Sequence, residues 1–212
     1  MPITTVLFDL DNTIYPASSG LLKGIDVRIN EYMRGTLGLD AQSALELRQQ
    51  YYAEFGTTLR GLQEHHEVDP EHYLEYVHDV AIESFLASDA ELDHLLSELR
   101  AQKVIFTNSP ADYARRVLQV LGIERHFSHV FDVRFSGFQP KPDPLVYQSV
   151  LDTLQIDGAQ AILVEDTPRN LPPARALGIT TILLAEDDPL GLADYLVPDV
   201  LAAIRVALEL ER

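Results

Sequence analysis

Two aspartates stand two positions apart near the start of the chain, directly after an apolar run. Asp9 and Asp11 follow the sequence "TTVLF" at residues 4–8. Carboxylates at close range repel each other and burial of an unpaired carboxylate is costly, so a purely structural role fits this pair poorly. Because residues i and i+2 of a strand face the same side, the pair predicts a site where a cation lies between the acids or one of them carries a proton.

Other polar residues stand at the ends of similar apolar runs, whose length and composition are typical of parallel strands buried on both faces. These runs are "KVIFTNS" (103–109), "HVFDVRF" (129–135), "AILVEDT" (161–167) and "ITTILLA" (179–185). Ligands of an open α/β sheet bind at the carboxyl ends of its strands. Besides the first pair, the polar residues expected to meet at this edge are Thr13, Thr107, Asn108, Ser109, Lys141, Asp143, Glu165, Asp166 and Asn170.

This set of side chains points to phosphoryl transfer. Clustered carboxylates suit Mg²⁺, while Thr107 at a helix N-terminus and the point charge of Lys141 suit an anion. A divalent cation, an anion pocket and a spare carboxylate are the parts that such a reaction requires. Because the chain has no cysteine and no P-loop, the candidate nucleophile is Asp9. Asp11 would protonate the leaving oxygen and later deprotonate the hydrolytic water.

Helices must separate the strands if these residues are to meet. Residues 88–99 begin with a capping-box pattern, Ser88 and Glu91, and residues 109–122 begin with Ser109 as N-cap before Pro110. A third helix is predicted over residues 143–154, with an Asp-Pro start. This alternation of strands and helices predicts an α/β fold with a Rossmann-like parallel sheet.

Residues 16–87 have a different pattern, with apolar residues at helical spacing and no strand-like run. Three helical segments are predicted here, with a loop at 56–68 between the second and the third. We therefore expect a catalytic core at residues 1–15 and 88–212 and an inserted helical cap domain at residues 16–87.

Composition narrows the classes of partner. Sixteen basic and 33 acidic residues leave a net charge of −17, which argues against nucleic acid as a partner. No apolar run approaches the roughly 20 residues that a membrane helix needs, and no secretory signal pattern stands at the N-terminus. We expect a cytoplasmic protein, monomeric or a small homo-oligomer, with no membrane partner.

The motifs resemble those of the haloacid dehalogenase (HAD) superfamily of phosphatases. The chain carries "DLDNT" at 9–13, Thr107-Asn108 after a strand, Lys141 before a proline, and Glu165-Asp166 with Asn170. The resemblance implies that Asp9 is the nucleophile, Asp11 the acid/base, and Thr107 and Lys141 the phosphate ligands. It also implies Mg²⁺ bound by the side chains of Asp9 and Asp166 and the carbonyl of Asp11. Glu165 would bind the metal directly or through water, or would accept backbone hydrogen bonds beside it.

A finer resemblance points to the pyrimidine 5′-nucleotidase-like branch, which has a helical C1-type cap. "DLDNTIYPASSGL" (9–21), "LRQQYYAEFGTTLRGL" (47–62), "HHEVDP" (65–70), "IFTNS" (105–109) and "VEDTPRN" (164–170) are similar to its pattern. It implies a small phosphorylated metabolite as partner, a nucleoside monophosphate such as CMP or UMP. Thr107, Asn108 and Lys141 are candidate substrate-binding residues in the core, and Arg60 and His66 in the cap. Pro172-Pro173, just after Asn170, departs from the family pattern, and a helix is expected to restart there.

Three alternatives remain open at this point. A sugar phosphomutase shares the Glu-Asp pair after the fourth strand but must bind both ends of a bisphosphate. A 2-haloacid dehalogenase uses the same aspartate without Mg²⁺, although it has no leaving oxygen for Asp11 to protonate. A catalytically silent relative would bind a phosphorylated ligand without turnover.

Overall fold

A six-stranded parallel sheet forms the centre of the computed structural model, which describes residues 2–212. Its spatial order is β3-β2-β1-β4-β5-β6. The strands are β1 (Thr5–Phe8), β2 (Gln102–Phe106), β3 (Phe127–Phe131), β4 (Ala161–Glu165), β5 (Thr180–Leu184) and β6 (Tyr195–Val197). Strands β1 and β4 lie at the centre and are buried along their whole length, as their unbroken apolar sequences predict. The predicted α/β fold with a parallel sheet is confirmed.

Two parts of the sheet differ from the sequence prediction. Strand β3 ends at Phe131 instead of continuing to Phe135. The reason is Asp132, whose two carboxylate oxygens accept hydrogen bonds from the backbone N–H groups of Ala111 and Phe135 and turn the chain. Strand β6, together with the helix that follows it, was not predicted.

The helices alternate with the strands after residue 88, except between β5 and β6, which no helix separates. They are α5 (Ala90–Glu98), α6 (Ala111–Leu121), α7 (Pro144–Leu154), α8 (Leu171–Ala176) and α9 (Val200–Leu210). The Asp143 cap of α7 is confirmed, since its side chain accepts from the N–H of Leu145. Helix α8 holds Pro172 and Pro173 in its first turn, where a missing N–H costs nothing, and so it restarts as expected.

Two predicted helix caps are wrong. Asp89, not Ser88, caps α5, because its carboxylate accepts from the N–H groups of Glu91 and Leu92. The side chain of Ser109 does not cap α6, which starts at Ala111 after Pro110. The Ser109 hydroxyl instead donates to Asp11 at 2.5 Å.

Four α-helices lie between β1 and α5, where three helical segments were predicted. They are α1 (Leu21–Leu37), α2 (Ala41–Phe55), α3 (Thr58–His66) and α4 (Pro70–Val77). The predicted loop at 56–68 is largely α3, which begins because the Thr57 hydroxyl accepts from the N–H of Arg60. Helix α3 packs closely on α2 at Gly61, where an added Cβ would lie 2.3 Å from Tyr51. The domain boundaries at 15/16 and 87/88 stay a prediction.

The helices between β1 and β2 share an apolar core with one face of the sheet. Ile25, Met33 and Leu62 of these helices belong to the same buried cluster as Phe8 and Ile105 of the strands. A second cluster, which includes Leu163 and Tyr147, fills the opposite face under α7 and α8. Within residues 2–212, none of the helices has the length and apolar composition needed to span a bilayer.

Candidate active site

Three carboxylates meet at the carboxyl edge of the sheet. Asp9 follows β1, while Glu165 ends β4 and Asp166 follows it, and one oxygen of each lies within 4.8 Å of the others. The parallel pairing of β1 with β4 brings residues 156 positions apart to one point. Asp9 and Glu165 are buried, and Asp166 is partly exposed.

Lys141 is the cation at the centre of this cluster. Its ammonium donates to Asp9 Oδ1 at 2.7 Å, to Glu165 Oε2 at 2.7 Å and to the carbonyl of Phe106 at 2.8 Å. Its side chain is only 1% exposed, so it is not a surface lysine. All three ammonium protons therefore have acceptors, which a fully buried lysine requires.

The electrostatics of the cluster show that it holds more negative charge than one lysine can balance. Burial, followed by repulsion from Glu165, raises the pKa of Asp9 to about 7. Burial and repulsion from Asp9 raise the pKa of Asp166 to about 6. Burial disfavours the charged form of Lys141, but Asp9 and Glu165 more than offset this and raise its pKa above the ordinary range.

Asp11 lies apart from this cluster and is held by three hydroxyl groups. Ser109 Oγ donates to Asp11 Oδ2 at 2.5 Å and Tyr113 Oη donates to Oδ1 at 3.0 Å, while Tyr15 Oη also donates to Oδ1. The two tyrosine oxygens are themselves 3.1 Å apart. Burial raises the pKa of both phenols, so they are neutral donors here. The carboxylate of Asp11 is thus fixed in orientation beside the cavity.

The residues after β2 support the loop of Lys141. Asn108 Oδ1 accepts from the backbone N–H of Lys141 at 2.7 Å, and Asn108 Nδ2 donates to the Lys141 carbonyl at 3.1 Å. Thr107 is buried, and its hydroxyl accepts from the N–H of Ser109 at 3.0 Å. Both side chains line the cavity beside Asp9, where sequence analysis placed them.

A cavity of about 380 Å³ separates this cluster from helices α1 to α4. Its roof comes from one face of α1, from α2, from the start of α3 and from α4. The roof residues are Leu22, Ile25, Asp26, Ile29, Arg48, Tyr52, Gly56, Thr57, Thr58, Leu59, Tyr73, Leu74, Val77 and His78. The roof is therefore mostly apolar, whereas the floor carries the charged groups.

Arg169 joins the floor to the roof. Its guanidinium donates to the carbonyls of Tyr52 at 2.7 Å and Gly56 at 2.8 Å, at the end of α2. It also stacks on the Tyr52 ring, with 3.9 Å between the guanidinium carbon and the ring centroid. Gly56 has a φ of +87°, and an added Cβ would lie 3.0 Å from the carbonyl of Lys141. Helix α2 thus ends directly against the loop that carries the lysine.

The structure does not bring Arg60 and His66 into this cavity. Arg60 pairs with Glu64 at 3.3 Å along α3 and lines a separate cavity together with Asp143. The exposed His66 hydrogen-bonds the hydroxyl of Tyr51 at 2.7 Å, at the end of α3 that was predicted as a loop. The His66 side chain thus joins α3 to α2, whereas the Arg60 side chain pairs within α3.

Several residues that shape the site were missed by sequence analysis. Tyr15 and Tyr113, which hold Asp11, lie 98 positions apart, and no local pattern connects them. Asp26 and Arg48 lie on two different helices, so their meeting depends on how these helices pack. Arg169 carried one signal, its place next to Asn170 in the "VEDTPRN" stretch.

The donor set fits Mg²⁺. Four carboxylates and one lysine line the floor, and the ligand atoms are oxygens, which this hard cation prefers. Two further oxygens of the floor, Asn12 Oδ1 and Asn170 Oδ1, are buried without a hydrogen-bond partner. A hydrated cation would bring water molecules that donate to such oxygens.

Residues 3–178 match the family described as haloacid dehalogenase-like hydrolase. The chain belongs to this family. The HAD resemblance of the four motifs is thereby confirmed, since the match spans all of them.

Comparison with individual HAD proteins is more distant. The chain is 27% identical over 196 residues to phosphate metabolism protein 8 of Saccharomyces cerevisiae, covering 85% of this chain and 61% of that protein. It is 31% identical over 116 residues to validoxylamine A 7′-phosphate phosphatase of Streptomyces hygroscopicus subsp. limoneus, covering 52% and 53%. The chain thus spans less than two thirds of either relative. A HAD phosphatase from Thermococcus onnurineus shares the fold, with a TM-score of 0.65 at 21% identity over 99% of this chain and 100% of that chain.

Proposed function

We propose that this HAD protein is a Mg²⁺-dependent phosphomonoester hydrolase that works through an aspartyl-phosphate intermediate. The observation that carries the proposal is the placement of Asp9. Its carboxylate lies on the floor of a cavity, 2.7 Å from a buried ammonium and beside the carboxylates of Glu165 and Asp166. An anionic nucleophile can approach an anionic phosphate only where positive charge neutralises both. Lys141 supplies part of that charge, and the clustered carboxylates of the floor would bind a cation that supplies the rest.

Two displacements at phosphorus complete the reaction. An oxygen of Asp9 attacks phosphorus, the bond to the ester oxygen breaks, and the proton of Asp11 goes to the leaving alcohol. Water then attacks the phosphorus of the aspartyl-phosphate, Asp11 takes the water proton, and the bond to the Asp9 oxygen breaks. The products are the alcohol, inorganic phosphate and the regenerated Asp9.

The remaining floor residues position the phosphate and the ion. Thr107 and Lys141 would bind the phosphate oxygens, and Asn108 holds the Lys141 loop through its two hydrogen bonds. The side chains of Asp9 and Asp166 and the carbonyl of Asp11 would hold Mg²⁺, which supplies charge neutralisation at the transferring phosphoryl group. Glu165 accepts from Lys141 and from the N–H of Thr167 at 3.2 Å, which favours a role beside the ion.

We propose pyrimidine nucleoside 5′-monophosphates, such as CMP and UMP, as the substrates. The size of the cavity and the aliphatic side chains of its roof support a leaving group with a ring that these side chains can cover. The names of both relatives refer to phosphate chemistry, and one is called a phosphatase. The motif resemblance to the 5′-nucleotidase-like branch adds to this support.

The cations of the cavity argue against a sugar phosphomutase. A bisphosphate substrate needs a second cationic group far from Asp9. Among residues 2–212, the roof has Arg48, which is already paired with Asp26, and His78, whose pKa is lowered by burial. Arg169 donates through both terminal nitrogens to the carbonyls at the end of α2, and its Nε has no hydrogen-bond partner among the residues that the structure describes. A second phosphate would therefore meet roof cations that are paired or neutral, and it could use both terminal nitrogens of Arg169 only by breaking the contacts with the end of α2.

The test is phosphate release by the protein with Mg²⁺ and a panel of phosphate esters, in comparison with Asp9→Asn. This change removes the nucleophile but almost no volume, so turnover should fall by at least about 10³-fold while a cooperative melting transition shows that the fold is intact. Chelation by EDTA should abolish activity, and added Mg²⁺ should restore it. Turnover that survives in Asp9→Asn would contradict the proposal, and turnover in EDTA would favour dehalogenase-type chemistry. A wild-type protein that binds phosphate esters without releasing phosphate would indicate a silent relative.

A further inference from the structure

One ion pair interrupts the apolar roof of the active-site cavity. Helix α1 presents Leu22, Ile25, Asp26 and Ile29 to the cavity, a spacing that places all four on one helical face. Asp26 is the polar member of this face. Arg48 of α2 pairs with it, and its Nη1 also lies 3.4 Å from the backbone carbonyl of Asp26.

The Asp26–Arg48 pair is as exposed as other ion pairs between side chains of this molecule, but both of its members line the active-site cavity. The Arg48 side chain is 20% exposed and that of Asp26 is 36% exposed, and both line the cavity. Partly exposed ion pairs contribute little to stability, and an apolar pair would pack at least as well between Ile25 and Ile29. The edge of the pair that is open to the cavity remains available to a ligand.

We propose that Asp26 and Arg48 together recognise the leaving group of the substrate. They would bind an uncharged edge of that group on which a hydrogen-bond donor stands next to an acceptor. The Asp26 carboxylate would accept an N–H, and the Arg48 guanidinium would donate to the neighbouring nitrogen or carbonyl oxygen. The edge of a nucleobase has this arrangement. The proposal rests on the proposed phosphatase function and names the residues that select its substrate.

The surroundings strengthen such recognition. The apolar side chains of Leu22, Leu59 and Leu74 would cover the faces of a flat ring and lower the local dielectric, which strengthens hydrogen bonds at its edge. Tyr73 adds a neutral hydroxyl to the roof, because burial raises the pKa of its phenol. A site built to hydrogen-bond one edge rejects analogues that lack it, since its own polar groups would be left unpaired.

The same pair excludes a leaving group that carries a second anion. Asp26 neutralises Arg48 and would repel a carboxylate or phosphate at this position. Substitution Asp26→Asn leaves the guanidinium without its counter-charge. The variant should therefore lose selectivity for nucleobases and gain tolerance of a second negative group.

The experiment compares kcat/KM of wild type and Asp26→Asn on CMP, UMP, p-nitrophenyl phosphate and phosphoglycolate, all with Mg²⁺. We expect the variant to lose roughly 10-fold or more on CMP and UMP, to keep p-nitrophenyl phosphate within about twofold, and to gain on phosphoglycolate. The matched control is Arg205→Met, which breaks the exposed pair with Glu91 that joins α9 to α5 away from the cavity. It should change none of the four values by more than about twofold.

An equal loss on all four substrates would overturn the inference, because it would show a purely structural pair. The inference would also be overturned if the wild type hydrolysed p-nitrophenyl phosphate and its kcat/KM on CMP and UMP were no higher. In that case the proposed phosphatase function stands. No hydrolysis of any ester by the wild type overturns both. If Asp26→Asn does not fold, as judged by its melting curve, Arg48→Lys takes its place, because it keeps the charge but loses the planar fork. It should show the same selective loss on CMP and UMP.

Discussion

At the residue scale, the buried ammonium of Lys141 organises the floor of the cavity. It contacts the proposed nucleophile Asp9, the neighbouring Glu165 and a main-chain carbonyl within 2.8 Å. Removing one partner of a buried charged network leaves the other charges without compensation. The lysine therefore contributes to stability besides the chemical role that the proposed function gives it, and the two roles should respond differently to pH.

Substitution Lys141→Met tests both roles. We expect phosphate release to fall below detection and the free energy of unfolding to drop by about 3 kcal/mol at about pH 8. The loss should be smaller at about pH 5.5, because Asp9, with a pKa of about 7, is protonated there and needs no counter-charge. Urea unfolding without Mg²⁺ at the two pH values measures this difference. Lys23→Met, an exposed lysine of α1, is the control, and an equal loss at both pH values would contradict the account.

At the element scale, the end of α2 connects the roof to the floor. Arg169 follows β4 and donates to two carbonyls at that end, while Gly56 lies against the loop of Lys141. The position of α2 is thus coupled to the two loops that carry Lys141 and Asp166. A change at Arg169 should alter substrate binding without removing any reacting group.

Substitution Arg169→Ala should raise KM by roughly 10-fold, with a smaller change in kcat, and cost about 1–2 kcal/mol of stability. Amide hydrogen exchange should accelerate in residues 52–58, since the end of α2 loses its two donors. Arg175→Ala is a matched control, because Arg175 also donates to two carbonyls, those of Gly191 and Leu192, outside the cavity. If both variants change KM alike, the α2 contact has no special role in substrate binding.

At the scale of the whole molecule, a net charge of −17 surrounds a site that, under the proposed function, binds an anionic substrate. The carboxylates of the floor add to the electrostatic repulsion of such an anion unless a cation neutralises them. In the metal-free protein, Asp9 and Asp166 have pKa values of about 7 and about 6, against an ordinary value of 3.8. Between the ordinary pKa of 3.8 and these raised values, the folded state thus binds more protons than the unfolded state. The stability of the folded state therefore falls as the pH rises through this window.

Saturating Mg²⁺ should reverse this trend, because it binds the ionised carboxylates of the folded state. At about 100 times its dissociation constant it adds about 2.7 kcal/mol, or roughly 5–10 °C in melting temperature, at about pH 8. At about pH 5.5 protons compete for Asp9 and Asp166, and the increase should be less than half as large. Thermal unfolding with and without Mg²⁺ at matched ionic strength measures both values. An increase of the same size at both pH values would show that the ion binds elsewhere.

Much of the fold and of the floor could be predicted from the sequence, because the signals are local. Apolar runs identify the strands, and a parallel sheet must place the residues that follow them at one edge. Asp9, Thr107 and Asp166 therefore come together as expected, and Asp143 caps α7 as its Asp-Pro pair indicates. The starts of α5 and α6 were misplaced by one or two residues, because Asp89 competes with Ser88 as a cap and the Ser109 hydroxyl is taken by Asp11.

By itself, the sequence determined the α/β fold, the HAD family and the identities of most residues on the floor of the cavity. Only the tertiary structure decided that Ser109, Tyr15 and Tyr113 hold Asp11, that Arg48 meets Asp26 in the roof, and that Arg60 and His66 lie outside the cavity. The physical reason is that a parallel sheet places the residues that follow its strands at one edge, whatever side chains those residues carry. The rotation of a helix about its own axis, by contrast, depends on packing against partners far away in the chain.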